Sequence, residues 1–82
     1  MGKNRLKIRN NIKELRAANG DMTQAQLAGK LGVTRQTVLT TESGRNYPSI
    51  ELAFRMGIIF KKPVTEIFYV DRDDLEDFED EM

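Results

Sequence analysis

The sequence predicts a small all-α domain of five short helices, two of which form a hairpin with a tight turn. Three observations carry that expectation. Apolar residues recur in short blocks at helical spacing. A Ser, Thr or Asn stands before the first four blocks, where its side chain can accept a backbone N–H left unpaired at a helix start. Glycines fall where the first three blocks stop. With 82 residues the chain is one domain, near the lower limit at which a single core holds without cross-links.

The first nine residues stay open between three conformations. Leu6 and Ile8 alternate with Arg5, Lys7 and Arg9, the period of a short edge strand. The same stretch could extend the next helix backwards, or remain a basic arm touching phosphate. We take residues 1–9 as a strand or arm, 10–70 as the folded domain and 71–82 as a tail. Asn10 or Asn11 caps a first helix reaching about Asn19, with Ile12 and Leu15 inward and Gly20 as its stop. Asp21 is then a solvated turn residue and Met22 a packing one. Thr23 caps a second helix whose stripe is Leu27, Ala28 and Leu31. Gly32 turns the chain, since a residue without Cβ takes positive φ at little cost. Val33 fills the corner and Thr34 caps a third helix, anchored by Val38 and ended by Gly44.

After turn formers at residues 45–48, Ser49 caps a fourth helix with Leu52, Ala53, Met56, Ile59 and Phe60 inward. Gly57 inside it costs up to about 1 kcal/mol relative to alanine, so fraying is expected. Pro63 starts a last short helix with Val64, Ile67 and Phe68 inward. Ile67, Phe68, Tyr69 and Val70 are more apolar than so small a core needs. They form either the contact of a homodimer or the end of the core, pairing there with Leu6 and Ile8. Residues 71–82 hold eight acids and one arginine, a composition that predicts disorder, with Leu75 and Phe78 as isolated apolar handles.

The net charge of zero conceals a division. Up to Lys62 there are twelve Lys and Arg against four acids, a net of +8; from Pro63 onward one arginine faces nine acids, a net of −8. A basic body attracts the phosphate backbone of nucleic acid. Histidine and cysteine are both absent, which removes the commonest acid–base groups, thiol nucleophiles and soft metal ligands. Asp71, Asp73 and Asp74 lack the glycine and closing glutamate of a calcium loop, and Gly29-Lys30 lacks the upstream glycine of a P-loop. No catalysis, metal or cofactor is expected. With no signal-like or membrane-spanning apolar run, a cytoplasmic location without membrane contact is expected.

The outer face of the third helix presents Arg35, Gln36, Thr37, Leu39 and Thr40. A donor-rich helix face of that kind suits the DNA major groove, about 12 Å wide, where Arg matches guanine and Gln matches adenine. It equally suits a solvated face of a small helical hairpin. The combination of Gln24-Ala25-Gln26-Leu27-Ala28, the run Leu31 to Val38 and Glu42-Ser43-Gly44-Arg45 resembles the Cro and phage-repressor type of helix-turn-helix, the Xre-like regulators. The resemblance covers roughly residues 9 to 68 and implies a lambda-repressor-like five-helix DNA-binding domain, with room for a short terminal β pairing.

Several roles follow from the resemblance alone. Arg35, Gln36 and Thr40 match positions that touch base edges; Leu39, standing where the family often has a polar residue, either presses on a thymine methyl or is an ordinary exposed leucine. Gln24, Thr34, Thr37, Ser43 and Arg45 match positions that grip phosphate. Arg16 and Glu42 match an ion pair tying the first helix to the third. Thr41 and Lys61 depart from the pattern, standing where the family usually has an apolar residue and a helix-ending glycine. The implied function is a sequence-specific regulator, a repressor, that binds double-stranded DNA as a homodimer. The rival reading is a protein-interaction module, such as an antitoxin or transcription-bridging factor, using the apolar segment and acidic tail.

Overall fold

The computed structural model describes residues 6–80, with side chains as far as Glu76. Met1 to Arg5 of the basic arm and the Phe78 side chain lie outside the described residues. The chain runs β1 (Ile8–Asn10), α1 (Ile12–Ala18), α2 (Gln24–Leu31), α3 (Arg35–Glu42), α4 (Ile50–Phe60), a single 3₁₀ turn (Val64–Glu66), β2 (Phe68–Val70) and α5 (Arg72–Asp80). The helix expected after Pro63 is therefore only that one turn.

Local chemistry sets each boundary. Thr23 and Gln26 form a reciprocal capping box at the start of α2, with bonds of 3.0 and 2.8 Å. Gly32 takes the left-handed conformation, and Val33 N–H bonds back to the Ala28 carbonyl at 3.0 Å. Thr34 and Ser49 cap α3 and α4 through the backbone N–H groups of Thr37 and Leu52. The core joins Ile12, Leu15, Met22, Leu27, Ala28, Leu31, Val38, Met56, Phe60 and Ile67. Met22 thus packs as expected, and the exposed Asp21 takes a positive φ of 54° in the turn beside it.

The strand alternative is realised at both chain ends. β1 and β2 pair antiparallel, with Ile8 opposite Val70, Arg9 opposite Tyr69 and Asn10 opposite Phe68. This changes the reading of residues 67–70 as a homodimer contact. Ile67 has no exposed surface and Phe68 packs against the core, so the run completes the chain's own interior and sheet. Tyr69, at 39 % exposure, is its outward-facing member.

Two further expectations are corrected. The tail is helical from Arg72 to Asp80 rather than disordered. Asp73 and Asp74 lie in the first turn of α5, where negative charge complements the helix dipole, and Leu75 N–H bonds to the Asp71 carbonyl at 3.0 Å. Gly57 is no defect either. A Cβ there would stand 2.9 Å from the Lys62 carbonyl oxygen, so glycine lets the chain fold back over α4, which continues unbroken to Phe60. Lys61 ends that helix in the left-handed conformation a glycine would take more cheaply.

Candidate nucleic-acid interface

On α3 the side chains divide as helical spacing requires. Val38 is fully enclosed and Thr41 is 3 % exposed on the inner side. Arg35, Gln36, Leu39 and Ser43 are exposed on the outer side, and Thr40 is half-buried. Among the described residues, the Arg35 and Gln36 side chains make no hydrogen bond and no ion pair, so their donors face solvent uncommitted. Thr40 differs: its hydroxyl donates back to the Gln36 and Thr37 carbonyls at 3.1 and 3.2 Å. Towards a base edge it is left with lone pairs and a methyl group rather than a free donor.

The helix is clamped to the body from several directions. Arg16 Nε and Nη2 donate to the two Glu42 carboxylate oxygens at 2.6 and 3.1 Å, and Nη1 donates to the Met22 carbonyl at 2.8 Å. The pair is 14 % and 10 % exposed, so each charge depends on the other for what water no longer supplies. The sequence-level inference of this bridge holds. Gln24 joins it, its amide donating to Glu42 Oε1 at 3.2 Å. A residue read as a phosphate contact thus has one amide donor occupied in positioning α3.

Asn10 governs the far end of α3. Its amide nitrogen donates to the Thr41 and Glu42 carbonyls at 3.1 and 3.3 Å, and its oxygen accepts Ile12 N–H at 3.1 Å. One side chain therefore caps the start of α1 and satisfies carbonyls at the end of α3. Neighbouring Asn11 bonds to the Glu66 carbonyl and caps nothing with its side chain. Tyr47 hydroxyl accepts Ile8 N–H at 3.1 Å and donates to the Leu6 carbonyl at 3.4 Å, pinning β1 to the loop after α3. The capping role of Asn10 was legible beside that of Asn11, but its bonds to α3 and those of Tyr47 to β1 span 31 residues or more and leave no periodic signal.

Pinning β1 there has an electrostatic result. A recess of about 560 Å³ between β1 and the turn after α3 is lined by Lys7 and Arg45 together with Leu6, Gly44, Asn46 and Tyr47. Arg9, Arg16, Arg55 and Lys62 are paired with Asp71, Glu42, Glu51 and Glu66. Among the described residues Lys7, Lys13, Lys30, Arg35, Arg45 and Lys61 have no such acid, and three of these, Lys7, Arg35 and Arg45, lie at the ends of α3. Unneutralised cations thus stand at both ends of the outer α3 surface, the placement a polyanion rewards. Thr34 and Thr37 share a hydroxyl contact of 3.1 Å at the start of α3, and the Ser43 hydroxyl donates to the Thr40 carbonyl at 3.0 Å.

The helix-turn-helix family model matches residues 12–67. An "uncharacterized HTH-type transcriptional regulator" of Archaeoglobus fulgidus is 38 % identical over 68 residues, which is 83 % of this chain and 94 % of that protein. A second, of Methanocaldococcus jannaschii, is 39 % identical over 67 residues, covering 82 % of this chain and all of the relative. A third, of Bacillus subtilis, is 36 % identical over 66 residues, or 80 % and 98 % of the two chains. Among the described residues no helix is long and apolar enough to cross a membrane. Family and fold agree: the chain belongs to the Xre-like helix-turn-helix family of DNA-binding transcriptional regulators.

Proposed function

We propose that the protein is a sequence-specific repressor that inserts the helix of residues 34–43 in the major groove of double-stranded DNA and acts as a cytoplasmic homodimer. The observation that carries the reading is the outer face of α3, where Arg35 and Gln36 are exposed with their donors uncommitted while Val38 anchors the opposite side. Arg35 would give paired donors to guanine O6 and N7, and Gln36 would pair with adenine N6 and N7, each contact discriminating by about 1–3 kcal/mol. Leu39 and the Thr40 methyl would lie against thymine methyl groups. Arg45, Lys7, Ser43, Thr34, Thr37 and the N-terminal N–H groups of α2 beside Gln24 would hold the flanking phosphates. Repression needs only that an operator be occupied, which such a face supplies by itself.

The test is fluorescence anisotropy of a labelled mixed-sequence duplex at several salt concentrations, with retention on heparin alongside. Binding that falls linearly in log–log salt dependence is the expected result. A chain that ignores both polyanions at low salt would instead be a protein-interaction module.

A further inference from the structure

The groove-facing surface leaves one exposed apolar feature unused. Ile50, Phe54 and Ile58 are 78 %, 61 % and 76 % exposed. They stand at i, i+4 and i+8 on α4, a stripe about 12 Å long at 1.5 Å per residue. It lies on the side of the helix opposite the core residues Met56 and Phe60. A helix that is apolar on two opposed faces is one that packs on both.

We infer that this stripe is a two-fold contact between two copies of the chain, laid antiparallel with Phe54 against Phe54. The inference names the surface of the homodimer proposed above, and so rests on that reading. Its first support is self-complementarity. Ile50, Phe54 and Ile58 read the same in both directions, so an antiparallel two-fold sets each Ile50 beside the partner's Ile58, as an isologous contact requires.

Area is the second support. The three side chains expose on the order of 400 Å², the size of the largest apolar patch on an ordinary monomer. Closing two copies on each other would bury about 800 Å² from these residues alone, half of a standard interface of roughly 1,600 Å² before flanking groups are counted.

Charge gives the third. Glu51 and Arg55 beside the stripe already pair at 2.6 Å, so neither is left as an unpaired charge facing a second copy. None of the residues assigned to DNA lies on α4. A two-fold built there therefore uses no residue of α3.

The full chain should be examined by sedimentation velocity from low-micromolar to several hundred micromolar, without DNA. A monomer–dimer equilibrium is expected, and Phe54→Glu should raise its dissociation constant about thirtyfold or more, as loss of a central aromatic anchor does. The melting of this variant by circular dichroism should report an intact fold, because Phe54 is exposed. The chain has no cysteine, so oxidised Phe54→Cys should give a disulfide-linked dimer while Tyr69→Cys stays single. A wild-type chain that is monomeric throughout overturns the proposal and leaves the stripe to a different protein. So does a dimer that Phe54→Glu does not weaken, or cross-linking at Tyr69→Cys in place of Phe54→Cys. If the dimer responds as expected while the wild type ignores duplex DNA, the contact stands and the DNA reading fails.

Discussion

Glu42 carries more of the site's precision than any residue that faces outward. Its carboxylate receives Arg16 from one side and Gln24 from another, so α3 is tied at one point to both α1 and α2. Arg16→Ala or Glu42→Ala strands a mostly buried charge, and each should cost about 3–5 kcal/mol in urea denaturation. The two together should cost much less than the sum, because the second change removes the stranded partner. On the outward side the roles separate by readout. Gln36→Ala should relax sequence preference by about 1–3 kcal/mol at one adenine, whereas Arg45→Ala should weaken all duplexes alike and lower the salt slope by about one. Uniform loss from both variants would remove Gln36 from base reading. At the end of α4 the expected signs depart from helix propensity. Gly57→Ala should destabilise by about 1–3 kcal/mol, because its Cβ would press on the Lys62 carbonyl. Lys61→Gly, by contrast, should stabilise by about 1 kcal/mol, since it relieves a left-handed backbone. Paired urea midpoints decide both.

At the scale of elements, the helix-turn-helix owes its rigidity to β1 as much as to its own two helices. Asn10 satisfies the Thr41 and Glu42 carbonyls and caps α1. Asn10→Ala should therefore cost about 1–3 kcal/mol, as buried groups lose their partners. It should also speed hydrogen exchange in the last turn of α3 more than in α2; equal protection in both would show that β1 does not hold the helix. The hairpin itself was legible because each of its signals is local: Thr23, Gly32 and Thr34 mark caps and turn, and Leu27, Leu31 and Val38 mark the inner side. The Arg16–Glu42 bridge came from family resemblance, since 26 residues of separation carry no spacing rule. What escaped the sequence was long-range or positional. The pairing of residues 8–10 with 68–70 was legible only as one of two alternatives, because the period-two pattern of Leu6 and Ile8 marks a strand without naming its partner. Composition alone predicts a disordered tail, whereas position places its acids Asp73 and Asp74 in a first turn, where they favour a helix. The outer stripe of α4 was hidden because an apolar helix reads as core on whichever side is counted first.

Across the whole molecule the division of charge becomes spatial. The acidic α5 starts where Asp71 pairs with Arg9 of β1, the strand that also brings Lys7 beside Arg45. We propose that the acidic helix starting there lowers the positive potential that phosphate would meet. Deleting residues 72–82 should tighten DNA binding severalfold at low salt and have less effect as salt screens the charges. Affinity unchanged at every salt concentration would assign α5 no part in binding. The account as a whole depends on the outer face of α3 reading bases, and selection of bound sequences from a random duplex pool tests that most directly. The wild type should enrich a two-fold motif, and Gln36→Ala, selected in parallel, should lose one adenine from each half while keeping the rest. No enrichment by the wild type, or an identical motif from the variant, would contradict it.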